Sequence, residues 1–344
     1  MGVHISNIIP KTEIELESLS GKKIAIDAHN TLFQFLSIIR QKDTGEPLRD
    51  SQGRITSHLS GLFYRTIKLI DVGIKPIYVY DGEPPEFKKR TIEGRHEARE
   101  ESKRKWEKAV KEGRKEDIMR YAQGALSLSD DMLNESRKLL DSMGIPWIQA
   151  PSEGEAQCAF ICNDGNADYS GSQDYDALLF SSPRLVRNLS ITGRRKLPRQ
   201  EVYIEVKPEI IELEKILLEL EITKEQLIII GILIGTDYNP GGIKGIGPKT
   251  ALKIVREKKT LDKVMNEIEW NFGVDVHKIY EFFLKPPISK KYEIEWKEPN
   301  KEKIMELMVE EHDFSKDRIE GFANKLVEIK KEGTQSSLQA WLKK

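Results

Sequence analysis

Only two cysteines, Cys158 and Cys162, occur in 344 residues. They stand four apart in one apolar stretch, the spacing of helical neighbours, so they read as core thiols in a reducing compartment. That excludes a disulfide framework. Histidine is also sparse, six in all, and the spacing signature of a zinc site is missing. An excess of one charge is lacking too: Lys+Arg number 55 and Asp+Glu 56, a net charge of −1. This balance excludes a uniformly basic nucleic-acid coat but leaves a molecule with segregated charge open. No signal-peptide pattern opens the chain and no apolar run approaches ~20 residues, so a soluble, cytoplasmic protein without a membrane partner is expected. Asparagine and glutamine are few beside abundant Lys, Glu and Arg, the pattern of a thermophile.

What the chain does have is acid in unusual places. "KKIAIDA" and "KPIYVYDG" read as buried parallel strands stopping at Asp27 and Asp81. Between them "ITSHLSGLFYRTIKLIDVG" carries apolar residues at helical spacing and closes on Gly73. Strand, helix and strand make the unit of a parallel sheet. The pattern resumes with "MLNESRKLLDSMGIPWIQA", a helix after Pro151, a short strand at "ADYSGS" and a helix from about Asp174. Two carboxylate pairs, Glu153 with Glu155 and Asp174 with Asp176, fall at these junctions, and Asp237 stands alone in "IGTDY". Taken singly, each pair is an ordinary helix start. Ser152 with Glu155 has the spacing of a capping box, and Asp174 and Asp176 suit an N-cap and a first turn. Taken together, they gather where open α/β sheets bind ligands, at the carboxyl ends of the strands. Hard oxygen ligands suit Mg²⁺ or Mn²⁺, and this many carboxylates exceed the need of one ion, so two metals are expected. His29, two residues after Asp27, is the one histidine expected near the site.

Three further stretches carry chemistry. Lys88–Gln123 is dense in both charges and poor in apolar residues, reading as a solvated helical hairpin, as a mobile cap over the sheet edge, or as both on different faces. "GGIKGIGPKTALKIV" fits a helix-hairpin-helix, whose Gly245 and Gly247 would let backbone N–H groups approach a phosphate beside Lys244 and Lys249. A structural turn between two helices remains the alternative, while a Walker loop is excluded because Pro248 precedes Lys249. The closing "QSSLQAWL" offers Gln335, Leu338, Trp341 and Leu342 as a partner-docking peptide.

Together these motifs, with "TSHLSGLFYRTI", "APSEGEAQ", "SQDYDALLF" and "IGTDYNPGGIKGIGPKTA", resemble the structure-specific 5′ nuclease superfamily, and within it the archaeal and eukaryotic flap endonucleases. The resemblance spans nearly the whole chain. It implies a mostly parallel twisted α/β sheet flanked by helices, with a helical cap and a helix-hairpin-helix. It divides the chain into an N-terminal nuclease region (1–100), an inserted cap (88–123), an internal region (124–260, hairpin about 231–256), a C-terminal part of the same core (261–330) and a clamp-binding tail (333–344). It implies that Asp27, Asp81, Glu153, Glu155, Asp174, Asp176 and Asp237 hold two Mg²⁺, with Mn²⁺ able to substitute, and that Lys88 and Arg95 act on the scissile phosphate. Phe33 would stack on a base, Arg40 and Arg65 would meet the DNA backbone, and Thr56 would lie where a 3′ flap is held. K⁺ would bridge the hairpin and a phosphate. The implied substrate is branched 5′-flap DNA, cut near its junction, with 5′-3′ exonuclease activity. The implied setting is Okazaki-fragment maturation and long-patch base-excision repair by a monomer docked on the sliding clamp, near the nucleoid of an archaeon. Gly2 is expected close to the site, although the polar "HISN" that begins at His4 departs from the family's usual start.

Two other classes fit the residues less well. A strand-end aspartate phosphatase needs a second Asp at position 29, where His29 stands. A non-catalytic binder of branched DNA would gain nothing from concentrated negative charge.

Overall fold

The computed structural model describes the backbone of residues 2–41, 45–196 and 203–342; its side chains are described except at 90, 115, 116, 119, 194–196, 203–204 and 332–342. Along the first part of the chain run β1 (Thr12–Glu13), β2 (Lys23–Asp27), α1 (Ala28–Ile38), α2 (Ser57–Asp71), β3 (Lys75–Tyr80), α3 (Lys89–Lys111), α4 (Lys115–Gly124), α5 (Asp130–Met143), β4 (Trp147–Gln149), α6 (Gly154–Asn163), β5 (Tyr169–Gly171) and α7 (Asp176–Leu179). Then come β6 (Arg184–Arg187), a hairpin of β7 (Gly193–Lys196) and β8 (Tyr203–Val206), β9 (Glu209–Glu212), α8 (Leu213–Glu219), α9 (Lys224–Ile234), α10 (Pro248–Lys258), α11 (Leu261–Met265), α12 (Val276–Leu284), α13 (Lys301–Met305) and α14 (Lys316–Leu342).

Seven strands form one sheet in the order β1-β9-β6-β5-β2-β3-β4. The five from β6 to β4 are parallel, and β9 and β1 close one edge antiparallel. The expected mostly parallel sheet is thus observed; its antiparallel edge was not anticipated. The chain leaves β2 toward β3 on one side, while β5 lies on the other. That reversal of strand order opens a crevice at the carboxyl ends beside Asp27.

Alternation along the central strands divides the core. In β2, Ile24 and Ile26 face α1, α2 and α5, while Ala25 faces α6; in β3, Tyr78 and Tyr80 take the first side, and Ile77 and Val79 the second. The helix expected before Gly73 is α2. It buries Leu59, Leu62, Phe63 and Ile67 at the i, i+3, i+4 spacing, each side chain worth about 1.5–3 kcal/mol of transfer free energy. Gly73 ends it at φ +87°, a conformation costly for any residue with a Cβ. Beyond α12, Tyr292, Ile294 and Trp296 return to pack on the sheet, and the Trp296 indole N–H donates to the carbonyl of Pro76 at 3.0 Å. The backbone of α14 continues through Gly333 and Thr334 to Leu342. The side chains of Gln335, Leu338, Trp341 and Leu342 lie outside the described residues.

The charged insertion forms an antiparallel helical pair, α3 and α4, turned at Gly113 (φ +67°). Its outer face carries the anticipated i, i+4 pairs, Lys105 with Glu101 and Lys108 with Glu112. Its inner face turns Arg95 and Arg99 toward the sheet edge. The solvated hairpin is thus observed, and one of its faces borders the sheet edge.

Candidate metal centre

Each acid reaches the carboxyl edge by a local device. Asp27 ends β2 and caps α1, accepting from the Asn30 backbone N–H at 3.0 Å. Asp81 follows β3 and accepts the first N–H of α6, from Gly154, at 2.7 Å. Glu153 precedes α6 as its N-cap residue but makes no capping bond. Glu155, in the first turn, accepts from the Ser172 hydroxyl at 2.6 Å. The capping box therefore does not form, and Glu155 is turned across to the next strand's loop. Asp174 accepts from the Asn30 side-chain amide at 2.8 Å, and Asp176 accepts from the Val3 backbone N–H at 2.7 Å. Neither is an N-cap: Tyr175 occupies that position of α7. Asp237 is presented by a turn after α9, in which Asn239 accepts from Thr236 and donates to the Ile232 carbonyl at 2.7 Å.

These seven carboxylates, with His29, Phe33, Lys88, Arg95 and Arg99, line one cavity of about 650 Å³. Asp27 and Asp176 are buried. Burial and the neighbouring Asp81 push Asp27 well above the ordinary carboxylate range. Burial, then Asp176, Asp27 and Asp174, does the same to Glu155. Burial and Asp237 raise Asp176 to about 7. Burial raises Glu153 as well, with the Lys88 cation opposing it. Burial first and repulsion between neighbours second thus push Asp27, Glu155 and Asp176 toward their protonated forms.

Two cations answer part of that charge. Lys88 Nζ lies 2.8 Å from both oxygens of Glu153 and 3.5 Å from Asp237. Burial alone would lower its pKa, but Glu153 and Asp237 outweigh it and raise it. Arg95, from the inner face of α3, bonds Asp237 at 2.5 Å. Seven acids against the three cationic side chains Lys88, Arg95 and Arg99 leave a surplus that fits divalent metal. Oxygen donors of Asp27 and Asp81 and a ring nitrogen of His29 all lie within 4.8 Å of one another.

Sequence reading missed Asn30. Its backbone N–H serves Asp27, its side-chain amide serves Asp174, and its side-chain oxygen accepts from Gln34 at 3.0 Å. One residue thus ties two acids from different strands. The Asn three after a strand-end Asp is the only local sign of it.

The expected DNA-contact residues fall at several places. Phe33 is 37% exposed and faces the cavity. Arg40 donates to the carbonyls of Ser37 and Gly45, at 2.8 and 2.7 Å. Thr56 is buried at the start of α2, its N–H bonded to Leu48. Arg65 donates to the carbonyls of Leu189 and Thr192, bracing the loop ahead of β7. Lys244 and Lys249 are exposed on either side of the turn joining α9 and α10. There Gly245 has φ +83° with open space around it, and Gly247 caps α10 with Pro248 in its first turn. Gly2 packs against the site as expected: a Cβ there would meet Asp174 Cβ at 2.6 Å.

Comparisons with known proteins agree with this geometry. The chain matches the XPG N-terminal domain over residues 1–102 and the XPG I-region over residues 144–237. It is 56% identical to flap endonuclease 1 of Pyrococcus furiosus over 344 residues, covering 100% of both chains. It is 54% identical to flap endonuclease 1 of Staphylothermus marinus over 349 residues, covering 99% of each. Among solved structures, flap endonuclease-1 from Methanococcus jannaschii superposes with a TM-score of 0.76 at 40% identity, over 95% of this chain and 98% of that one. The chain belongs to the XPG/flap endonuclease 1 family of metal-dependent, structure-specific 5′ flap nucleases.

Proposed function

We propose that the chain hydrolyses a phosphodiester near the junction of single strand and duplex in 5′-flap DNA, holding two divalent ions, Mg²⁺ or Mn²⁺, among its seven carboxylates. The observation that carries this reading is the surplus of buried acid at the switch point, roofed by Lys88 and Arg95. When bound, the ions would supply positive charge to the phosphate and acidify the attacking water. Asp27, Asp81, Glu153, Glu155, Asp174, Asp176 and Asp237 serve as ligands. Asn30, Ser172 and the backbone N–H groups of Gly154 and Val3 orient four of them. Lys88 and Arg95 exchange their carboxylate partners for phosphate oxygens and stabilise charge that develops there. The helical pair α3–α4 covers the single strand, and Phe33 offers a stacking face at the cavity wall.

The outlying motifs complete the reading. Gly245, Gly247, Lys244 and Lys249 hold the duplex backbone with K⁺ at the turn, Arg40 and Arg65 support the path of the strand, and Thr56 borders the 3′-flap site. Gln335, Leu338, Trp341 and Leu342 dock the monomer on a sliding clamp. In the cell the protein works in the cytoplasm at replication and repair sites, with 5′-3′ exonuclease activity alongside. The testing experiment is single-turnover cleavage of a double-flap DNA beside its single-stranded arm alone, in Mg²⁺ and in EDTA. Metal-dependent cutting confined to the junction supports the reading. Binding without cutting under every metal would leave only a scaffold for branched DNA.

A further inference from the structure

His29 is the one imidazole among the residues lining the cavity, and the function above gives it no part. Its ring is oriented by the chain: Nδ1 accepts the Asp81 backbone N–H at 3.1 Å, and the ring meets Tyr80 edge-on at 5.9 Å between centroids. A nitrogen that accepts a hydrogen bond carries no proton, so Nδ1 presents a lone pair and the ring proton, in the neutral form, sits on Nε2. Nδ1 itself lies 3.6 Å from Asp81 Oδ2. The separation is too long for a hydrogen bond. It is close to that of two neighbouring ligands on one ion, about 3 Å for bonds of about 2.1 Å. Asp27 contributes an oxygen within the same 4.8 Å envelope. Two acids and a proton-free imidazole nitrogen thus converge where the carboxylates alone already fit a metal.

We propose that His29 is a metal-selecting residue: its imidazole nitrogen joins Asp27 and Asp81 in holding one ion and shifts the preference of that position from Mg²⁺ toward borderline transition ions. This rests on the carboxylate cluster being the metal centre and adds to it the identity of one ligand. Imidazole favours such ions, while carboxylate and water suit Mg²⁺, and affinity for a site containing nitrogen rises from Mn²⁺ through Co²⁺. On binding, the imidazole turns to aim the single Nδ1 lone pair at the ion, and the Asp81 N–H loses that acceptor.

The test uses the full chain with His29→Asn and His29→Leu. Asparagine keeps an acceptor for the Asp81 N–H but offers only oxygen to a metal, whereas leucine offers neither. Pulsed electron paramagnetic resonance of bound Mn²⁺ should show nitrogen coupling in the parent chain and none in either variant. Calorimetry without DNA should show the Co²⁺-to-Mg²⁺ affinity ratio falling by about tenfold in both variants. The Asn variant should keep the parent's Mg²⁺ affinity and melting temperature. Absence of nitrogen coupling in the parent, with ions still bound, would overturn the inference and leave the carboxylate centre standing. Ions that bind neither the parent nor the variants would overturn the centre itself. A ratio lost in His29→Leu but kept in His29→Asn would show that His29 merely holds the Asp81 backbone.

Discussion

Two of the places where the molecule buries ionisable groups are built on opposite rules. At the carboxyl edge, seven acids meet three cationic side chains. Behind α2, His58, His312 and Arg54 are interleaved with Glu135 and Asp50, and burial holds His58 below its ordinary range. His58 Nε2 and His312 Nε2 face the two oxygens of Glu135 at 3.3 and 3.4 Å, His312 Nδ1 faces Asp50 at 3.1 Å, and Arg54 bonds Asp50 at 2.7 Å. The response of the carboxyls separates the two. Burial pushes Glu135 up, but His312 and His58 hold it down at about 2. Burial likewise opposes Asp50, yet the Arg54 N–H and His312 keep it below its ordinary range. At the edge the same burial meets more acid, and Asp176 rises to about 7. A buried network that neutralises itself joins parts of the fold, here the loop at 50, α2, α5 and the segment before α14. One that does not neutralise itself is completed by something brought from outside.

The largest effect should come from Asp176→Asn. Single-turnover cleavage should fall by at least 10³-fold, comparable with losing a main electrostatic group. Flap binding should persist, and the melting temperature in EDTA should rise because one repelling acid is gone. A variant that loses both cleavage and stability would place Asp176 in the self-neutralised class. Lys88→Ala should lower the single-turnover rate by about 10²-fold with little change in DNA affinity. Weaker binding at an unchanged rate would make it only a phosphate contact. His312→Leu should do the reverse. It strands buried acceptors on Asp50 and Glu135 at a cost of about 1–3 kcal/mol, read by denaturant unfolding, and cleavage at low temperature should stay within about twofold of the parent. The smallest effect is in pH. Asp176 has a folded pKa above its ordinary 3.8, so its contribution favours the fold at low pH and is lost as pH rises through about 7. Glu135 has a depressed value, so its contribution is present above 4.5 and lost as pH falls toward 2. His312, raised above 6.5 by Glu135 and Asp50 against burial, contributes below that value and loses its share as pH climbs past it. Melting in EDTA should therefore be highest at mildly acid pH and decline toward pH 8. Mg²⁺ should raise it more at pH 8 than at pH 5.5.

The two networks also differ in how well the sequence announces them. The edge site was legible because its acids sit at strand ends, where alternation stops and Asp27 or Asp81 breaks an apolar run. The capping explanation for Ser152 and Glu155 could not be dismissed from sequence, since only the fold shows Glu155 turned to Ser172 rather than to its own helix. The second network left no local sign. His58, Glu135 and His312 lie in separate helices and turns, and nothing in the residues around each one points to the others. The antiparallel closure by β9 and β1 was hidden for a similar reason, because β1 is two residues long and is defined only by its partner. Asn30 was missed because an asparagine in a first helical turn is commonplace, and its value lies in reaching Asp174, 144 residues away.

The scattering of the acids from Asp27 to Asp237 has a consequence for biosynthesis. A ribosome must make more than two-thirds of the chain before the last carboxylate emerges, and the Val3 amide must then return to meet Asp176. Until the sheet closes, the growing chain has acids but no arrangement of them, so it carries no scissors among the cell's nucleic acids. The carboxylates acquire their arrangement only when the sheet that carries them closes.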